Sequence, residues 1–361
     1  MAQAMRLARQ GIYSTHPNPN VGCVIVAHGA VVGSGWHQQA GGPHAEIYAL
    51  REAGEKARDA DVYLTLEPCS HHGRTPPCAE ALVDAGVRRV VVAMQDPNPL
   101  VAGQGLQRLR AAGIDVETGL MEDQVRAMNP GFVSRMQRGR PWVRVKLASS
   151  LDGRSAMASG ESKWISGEPA RRDVQRLRAR SSAILTGIGT VLADDPSMNV
   201  RLEAQQLKGV EPVRQPLRVV MDTKLAMPVQ AKMLSLPGDI LLVTGVQDND
   251  RRQALQQAGA EVVAIDVRQG QLDPEAVLTL LAEREINEVL LECGATLAGA
   301  FLAAQLVDEL VLYLAPHLMG DSARGLFHLP GLQQMRDRIA LEWLDVRQVG
   351  DALRVITRPC Y

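Results

Sequence analysis

The sequence contains few aromatic residues and carries almost no net charge. Phe, Trp and Tyr make up 3% of its 361 residues, whereas hydrophobic residues make up 46%. The core must therefore be built mainly from aliphatic side chains. The formal net charge of −1 at pH 7 provides no overall positive field that would attract a polyanion. Nucleic acid is therefore disfavoured as a partner.

Cysteine is also scarce, and long apolar segments are absent. The five cysteines, at positions 23, 69, 78, 293 and 360, are too few and too scattered for a disulfide scaffold. Metal binding is the use that this pattern favours for two of them. No uncharged apolar stretch reaches about 18 residues, and the N-terminus lacks a signal-peptide pattern. We therefore expect a cytoplasmic enzyme that does not associate with membranes.

The length of the chain predicts two domains, because a single core stops growing at roughly 250 to 300 residues. A polar segment at residues 137–140 precedes Pro141 and has the composition of a linker. We predict domains over residues 1–141 and 142–361. Apolar strands alternate with helical segments in the first of them, a pattern that predicts a mostly parallel sheet with helices on both faces.

The most specific pattern is a His-Ala-Glu motif at residues 44–46, followed by Cys69 and Cys78. One His and two Cys supply three ligands, the number that a catalytic zinc site uses when water takes the fourth position. A Glu two residues after the His is typical of zinc deaminases, in which it acts as general acid and base rather than as a ligand. We therefore predict that His44, Cys69 and Cys78 bind zinc and that Glu46 is catalytic.

The predicted secondary structure places these residues where a site can form. Residues 21–26 and 31–35 predict a hairpin. Residues 45–58 are rich in helix-forming side chains and predict a helix with the His-Ala-Glu motif at its start. Residues 62–66 predict a strand that leads to Cys69 at its carboxyl end, where open α/β sheets have their ligand sites.

The spacing of the two cysteines leaves alternatives open. Eight residues separate them, whereas the generic deaminase signature separates them by two. His71 or His72 in this segment could close the coordination shell, which would give a structural zinc site beside a nucleotide-binding domain. A deaminase of nucleic acid or of a free nucleoside is the second alternative. The near-neutral charge argues against the polymer, and the long segment argues against the generic pocket.

Motifs in both halves of the chain point to one family. They are His16-Pro17-Asn18-Pro19, His44-Ala45-Glu46, residues 67–78, Leu151-Asp152-Gly153-Arg154, residues 160–166 and residues 190–196. Together they resemble the bifunctional deaminase-reductase family of riboflavin biosynthesis over almost the whole chain. The resemblance implies an α/β fold in which a cytidine-deaminase-like α/β/α domain precedes a dihydrofolate-reductase-like α/β domain, with Zn²⁺ and NADPH as cofactors.

The resemblance also implies two consecutive reactions. The first is hydrolytic deamination of 2,5-diamino-6-ribosylamino-4(3H)-pyrimidinone 5′-phosphate. The second is NADPH-dependent reduction of the ribosyl group, which gives 5-amino-6-(ribitylamino)uracil 5′-phosphate. We expect this phosphorylated pyrimidine as the partner, and a homo-oligomer, either a dimer or a tetramer.

Substrate contacts in the first domain are expected from a few polar residues. By resemblance, Asn18 contacts the pyrimidine. The segment between the two cysteines supplies our candidates for binding the ribose phosphate, namely His71, His72 and Arg74, and lesser candidates are Asp96 and Asn98.

In the second domain, the resemblance assigns two sets of residues. The nicotinamide cofactor is expected to contact Ala148, Trp164, Thr190, Asp194, Thr223, Gly294, Ala295, Thr296, Leu297, Ala298, Gly299 and Ala300. The substrate is expected to contact Ser162, Arg178, Met198, Arg201 and Glu292. The residue types are compatible with these roles, since Arg offers forked donors to a phosphate and small residues let backbone N–H groups approach one.

Overall fold

A computed structural model describes residues 1–70, 77–247 and 250–361 of the chain. Its internal contacts separate two units, Met1–Arg140 and Pro141–Tyr361. The division falls one residue before the predicted boundary. Within the described ranges, no helix combines the length and the apolar character that crossing a membrane requires.

The first unit alternates strands and helices. Its helices are α1 (Ala2–Ala8), α2 (Ala45–Ala53), α3 (Cys78–Asp84), α4 (Gln104–Ala111), α5 (Glu122–Met128) and α6 (Pro130–Arg138). Its strands are β1 (Gly22–Ala27), β2 (Ala30–Trp36), β3 (Asp61–Leu66), β4 (Arg89–Met94) and β5 (Asp115–Thr118).

The sheet of the first unit has the strand order β2-β1-β3-β4-β5. β1 pairs antiparallel with β2 and with β3, whereas β3, β4 and β5 are parallel. The predicted hairpin is therefore confirmed, and the prediction of a mostly parallel sheet is wrong for this unit. The reason is that the inner strand of the hairpin, rather than a crossover strand, lies against β3. The carboxyl ends of β3 and β4 lie side by side, with Leu66 opposite Met94.

Small residues bring α2 close to the sheet. Gly33 and Gly35 alternate along β2 and face α2, where a Cβ on Gly35 would lie 2.4 Å from the carbonyl oxygen of Ala45. On the helix side, alanines at four-residue spacing are buried, including Ala45 and Ala49. Gly54 adopts a φ of 53° and ends the α-helix. The predicted helix over residues 45–58 therefore continues only as a 3₁₀ turn, Gly54–Ala57.

The second unit is built on a larger sheet. Its helices are α7 (Glu168–Arg180), α8 (Ile188–Asp194), α9 (Asp250–Gln257), α10 (Pro274–Glu283) and α11 (Ala295–Ala303). Its strands are β6 (Trp142–Ser150), β7 (Arg154–Ala156), β8 (Ala183–Gly187), β9 (Leu217–Met221), β10 (Ile240–Thr244), β11 (Glu261–Ala264), β12 (Val267–Arg268), β13 (Gln271–Leu272), β14 (Glu288–Leu291), β15 (Glu309–Ala315), β16 (Arg324–Gly325), β17 (Ala340–Val349) and β18 (Ala352–Cys360).

The large sheet has the order β11-β10-β9-β8-β14-β6-β15-β18-β17. The strands from β11 to β15 are parallel, and the hairpin of β17 and β18 continues the sheet in antiparallel pairing. The first strand of the unit, β6, therefore lies between two late strands. Arg144 on β6 is 1% exposed and forms ion pairs with Glu288 on β14 and Glu309 on β15, at 2.8 and 2.5 Å.

Candidate active sites

Three potential metal ligands meet in the first unit. The Nδ1 atom of His44 lies 3.5 Å from Sγ of Cys69 and 3.3 Å from Sγ of Cys78. All three atoms lie within 4.8 Å of one another. Zinc bonds of about 2.0–2.3 Å at tetrahedral angles would separate neighbouring ligand atoms by roughly 3.5 Å. The chemistry and the spacing of these donors therefore fit one zinc ion.

Each of these residues lies at the end of a secondary-structure element. His44 is the N-cap of α2, Cys78 is the first residue of α3, and Cys69 follows β3. The amide N–H of Cys78 donates to Sγ of Cys69 at 3.3 Å, and that of Ala79 donates to the Cys69 carbonyl at 3.1 Å. Hydrogen bonding with Cys78 and with His44 lowers the pKa of Cys69 well below the ordinary value of a thiol. The cluster thus favours a thiolate, the form in which cysteine binds metals.

Glu46 lies in the first turn of α2 and is 3% exposed. Its Oε2 atom is buried and has no hydrogen-bond partner in the described part of the chain. Burial raises the pKa of Glu46 to about 7, although the neighbouring His44 acts in the opposite direction. A carboxyl group whose pKa lies near neutrality can both accept and return a proton.

A chain of hydrogen bonds orients Asn18 beside this cluster. The ring of His37 packs edge-on against that of His44, with the centroids 5.4 Å apart. Nδ1 of His37 lies 3.0 Å from the carbonyl oxygen of Pro43, so Nδ1 carries the proton and donates it. Nε2 must then accept from the Nδ2 amide of Asn18, also at 3.0 Å. Sequence reasoning missed His37, because a single histidine outside a motif gives no signal.

Two of the other residues expected to contact the substrate in the first unit lie in the described part of the chain, and three do not. Asp96 and Asn98 follow β4, whose carboxyl end neighbours that of β3. Asp96 accepts from the backbone N–H of Asn98 at 2.8 Å, and Asn98 accepts from that of Leu100 at 3.1 Å, so both side chains shape their own loop. The phosphate candidates His71, His72 and Arg74 lie outside the described residues.

In the second unit, two of the expected substrate residues bind each other. Arg178 on α7 donates to both carboxylate oxygens of Glu292, at 2.6 and 2.8 Å, and a third N–H group donates to the carbonyl oxygen of Asn199. Burial opposes the charge on Glu292, but Arg178 lowers its pKa below the ordinary value. The forked face of Arg178 therefore meets a carboxylate, where the sequence interpretation expected a phosphate.

Lys146 joins this pair and was missed by sequence reasoning. It lies on β6 opposite Val311 of β15, and its Nζ is 5.9 Å from the ring centroid of Tyr313. Burial lowers the pKa of Lys146, while Glu292 raises it. Burial also lowers the pKa of Arg201, on which Arg178 and Glu292 act electrostatically. Three cations therefore surround one carboxylate, a suitable environment for an anionic ligand.

The expected cofactor residues gather at one edge of the large sheet. Ala148 lies on β6, Thr190 and Asp194 lie on α8 after β8, Thr223 follows β9, and Gly294 follows β14. These four strands are parallel, so their carboxyl ends share an edge. Gly294 is the N-cap of α11, and no side chain caps it in the described chain. The first turn of α11 therefore presents backbone N–H groups that suit a phosphate.

Family models match both units. The cytidine and deoxycytidylate deaminase zinc-binding region matches residues 1–94, and the RibD C-terminal domain matches residues 141–355. The riboflavin biosynthesis protein RibD of Escherichia coli K12 is 50% identical over 355 residues, which cover 97% of this chain and 96% of that protein. The chain belongs to the RibD family.

Solved structures of RibD proteins agree with this assignment. Acinetobacter baumannii RibD, form 1, superposes with a TM-score of 0.92 at 48% identity and covers 100% of this chain and 98% of its own. The Thermotoga maritima deaminase/reductase has a TM-score of 0.86 at 32% identity, with 100% and 97% coverage. The predicted cytidine-deaminase-like and reductase folds are confirmed.

Membership of the RibD family establishes the broad function. The chain is a bifunctional enzyme of riboflavin biosynthesis that combines a zinc-dependent deaminase with a pyrimidine reductase. Its cofactors are Zn²⁺ and NADPH. The expectation of two activities with these cofactors, drawn from the motifs, is therefore confirmed.

The other residues predicted to contact the cofactor or the substrate in the second unit differ in their exposure and in what they pack against. Trp164 is 72% exposed, and the guanidinium of Arg171 lies 4.6 Å from its ring centroid. Met198 and Ala298 are buried in hydrophobic clusters, so only their backbones are available to a ligand. A Cβ on Gly299 would lie 2.0 Å from the carbonyl oxygen of His328. Close packing of the backbone therefore accounts for a glycine at this position. The partly buried or exposed residues are Ser162, Ala295, Thr296, Leu297 and Ala300.

Proposed function

We propose that the first unit deaminates the diaminopyrimidine ribosyl phosphate and that the second unit reduces the ribosyl group of the product with NADPH. The observation that carries the first half is the His44, Cys69 and Cys78 cluster beside the buried, unpartnered carboxyl oxygen of Glu46. The observation that carries the second half is the cationic cluster at the edge of the sheet where α11 begins.

In the deaminase site, His44, Cys69 and Cys78 would hold the zinc ion. When bound there, Zn²⁺ supplies acidified water, with a pKa lowered to roughly 7. Glu46 accepts a proton at its free Oε2 atom and returns it to the departing amino group, which leaves as ammonia. The amide of Asn18, oriented by His37, presents its Oδ1 atom to an N–H group of the pyrimidine.

The substrate phosphate of the deaminase site is assigned to the segment between the two cysteines. Its cationic candidates are Arg74, His71 and His72. The lesser candidates for substrate contact are Asp96 and Asn98, on the loop that follows β4. Replacing Arg74 by Ala should raise KM for deamination and leave the bound zinc in place. An unchanged KM would remove Arg74 from the site.

In the reductase site, NADPH supplies the hydride, and the protein orients both reactants. The N-terminus of α11, from Gly294, binds a cofactor phosphate. Arg178, Arg201 and Glu292 contact the phosphorylated substrate, with Ser162 and the backbone at Met198 beside them. The remaining cofactor contacts are Ala148, Trp164, Thr190, Asp194, Thr223, Ala295, Thr296, Leu297, Ala298, Gly299 and Ala300.

The enzyme is proposed to act in the cytoplasm as a homo-oligomer, either a dimer or a tetramer. The support for an oligomer is β17, an edge strand on which Leu341, Trp343, Leu344 and Val346 are 40–69% exposed. A long, exposed, apolar edge strand pairs readily with another chain. Sedimentation of the unaltered chain and of Trp343→Arg should give different masses if this strand is the interface.

One experiment tests the two activities together. Ammonia release from the diaminopyrimidine ribosyl phosphate is measured with and without NADPH, while cofactor absorbance is followed. We expect ammonia without NADPH, and NADPH oxidation only after deaminated product has formed. Oxidation of NADPH on supplied product without any ammonia would contradict the proposed deaminase, as would ammonia release from cytidine in place of this substrate.

A further inference from the structure

Glu67 lies two residues before Cys69 and is 6% exposed, yet no part of the chemistry above uses it. Its carboxylate accepts four backbone hydrogen bonds from a different stretch of the chain. Oε2 accepts from the N–H groups of Asp96 and Gly103, at 3.1 and 2.9 Å. Oε1 accepts from those of Gly105 and Leu106, at 2.9 and 3.3 Å.

The two carboxylate oxygens of Glu67 therefore bind two different parts of the chain. One fixes both ends of the loop at residues 96–103, and the other fixes the first turn of α4. The contact is close, because a Cβ on Gly105 would lie 2.1 Å from the carbonyl oxygen of Pro68, the residue between Glu67 and Cys69. A buried carboxylate that accepts several N–H groups at a helix start forms strong hydrogen bonds and a rigid junction.

Cys69 is thus held from both sides. On the downstream side, α3 fixes it through the N–H groups of Cys78 and Ala79. On the upstream side, the backbone N–H of Glu67 donates to the carbonyl oxygen of Met94 on β4, and its carboxylate binds the loop that follows β4. That loop carries Asp96 and Asn98, two candidates for contact with the substrate. One side chain consequently fixes Cys69 and the loop at residues 96–103 relative to each other.

We propose that Glu67 is a positioning residue of the deaminase centre, which sets the place of Cys69 and of the loop at residues 96–103 through its four backbone hydrogen bonds. This inference rests on the proposed function, since it takes Cys69 as a zinc ligand. Outer residues of this kind tune metal sites by orienting the ligands, and losing them typically costs 10–100-fold in metal affinity or activity.

Two substitutions separate the parts of the interaction in the full-length, zinc-loaded enzyme. Glu67→Gln keeps the volume but replaces one acceptor by an amide NH₂ group, which must face either the loop or the start of α4. Glu67→Asp keeps the charge but is one methylene shorter, so that it cannot reach both partners. The matched control is Glu122→Gln, which removes a partly buried carboxylate from the first turn of α5, where it pairs with Arg126.

The measurements are zinc release to a chromophoric chelator, the absorption spectrum of the Co²⁺-substituted protein, and kcat and KM for deamination. For Glu67→Gln we expect release about 10-fold faster, a changed thiolate-to-cobalt band and a raised KM, with Glu67→Asp intermediate and Glu122→Gln unchanged. If Glu67→Gln does not fold, Glu67→Asp provides the same comparison with the control. A lowered unfolding temperature with unchanged release, spectrum and KM would overturn the proposal.

A parallel variant distinguishes failure of this inference from failure of the proposed function. Cys78→Ser should lose zinc. If it retains zinc as firmly as the unaltered chain, the proposed metal site is wrong, and the role of Glu67 is wrong with it. If Cys78→Ser loses zinc while both Glu67 variants behave like the control, the metal site stands and the positioning role of Glu67 is rejected.

Discussion

Arg178 and Glu292, 114 positions apart in the sequence, form a two-point ion pair with N–O distances of 2.6 and 2.8 Å and with side chains that are 11% and 14% exposed. Removing either partner leaves the other side chain with a largely buried charge and without its ion-pair partner. We expect Glu292→Gln to lower the free energy of unfolding by about 3 kcal/mol and to abolish reduction. Denaturant unfolding and NADPH oxidation on supplied product measure the two effects.

The double variant Arg178→Met with Glu292→Gln separates stability from function. Because the buried guanidinium is removed together with its carboxylate, the double variant should recover part of the lost stability while reduction stays absent. Lys146 and Arg201 still lose their carboxylate neighbour, so the recovery should be incomplete. Recovery of reduction in the double variant would show that the pair stabilises the fold and has no part in the site.

Glu46 should be essential for deamination alone. Glu46→Gln preserves the shape of the side chain but removes the group that accepts the proton. We expect kcat for ammonia release to fall by about 10²–10⁴-fold, with zinc content and reduction of supplied product unchanged. Loss of both activities would argue against sites that work separately. Glu52→Gln, a change of an exposed acidic residue on the same helix, is the control.

Metal removal, like the Glu46 substitution, should abolish deamination and leave reduction intact. A chelator that extracts zinc should stop ammonia release, because His44, Cys69 and Cys78 provide the metal-binding cluster of the described chain. NADPH oxidation on supplied product should continue at its original rate. Addition of Zn²⁺ should restore ammonia release in the unaltered chain and leave Cys69→Ser inactive. Restored activity in Cys69→Ser would exclude Cys69 as a required ligand.

The buried ion pairs of β6 and β14 predict loss of stability in acid. Burial alone would raise the pKa of Glu288, but Arg180 and Arg144 lower it to about 2. Because the folded pKa lies below the unfolded value of 4.5, this stabilisation is complete above pH 4.5 and is lost as the pH falls towards 2. The contribution is on the order of 3 kcal/mol.

Unfolding experiments between pH 7 and pH 2.5 measure that contribution. The difference in unfolding free energy between the unaltered chain and Glu288→Gln should shrink steadily below pH 4.5. The exposed Glu275→Gln should follow the unaltered chain throughout. A difference that does not depend on pH would mean that the Glu288 carboxylate is not stabilised by its two arginines.

Local sequence predicted the features that depend on near neighbours. The helix predicted from residue 45 begins there as α2, and the predicted hairpin matches β1 and β2, because helix-forming side chains and turn residues decide these features. The His, Cys and Cys cluster was predictable because its chemistry requires fixed residue types. The antiparallel pairing of β1 with β3 was not, since strand order depends on contacts far apart in the chain.

Other parts of the sites carried no local signal. His37 acts through hydrogen bonds to Asn18 and to the carbonyl oxygen of Pro43, neither of which a motif encodes. Lys146 lies on strand β6 and gains its role only because Glu292, which follows the neighbouring strand β14, acts on its charge. The four hydrogen bonds of Glu67 also link positions about 30 to 40 residues apart.

The position of Arg144 has a consequence for synthesis of the chain. Its strand is the first of the second unit to leave the ribosome, but the carboxylates that neutralise it belong to β14 and β15. Until Glu309 has emerged, β6 lacks one of its two neighbouring strands, and Arg144 lacks one of its two carboxylate partners. Nascent chains that end before Glu309 should therefore remain sensitive to protease over residues 141–308, whereas the Met1–Arg140 unit can already resist it.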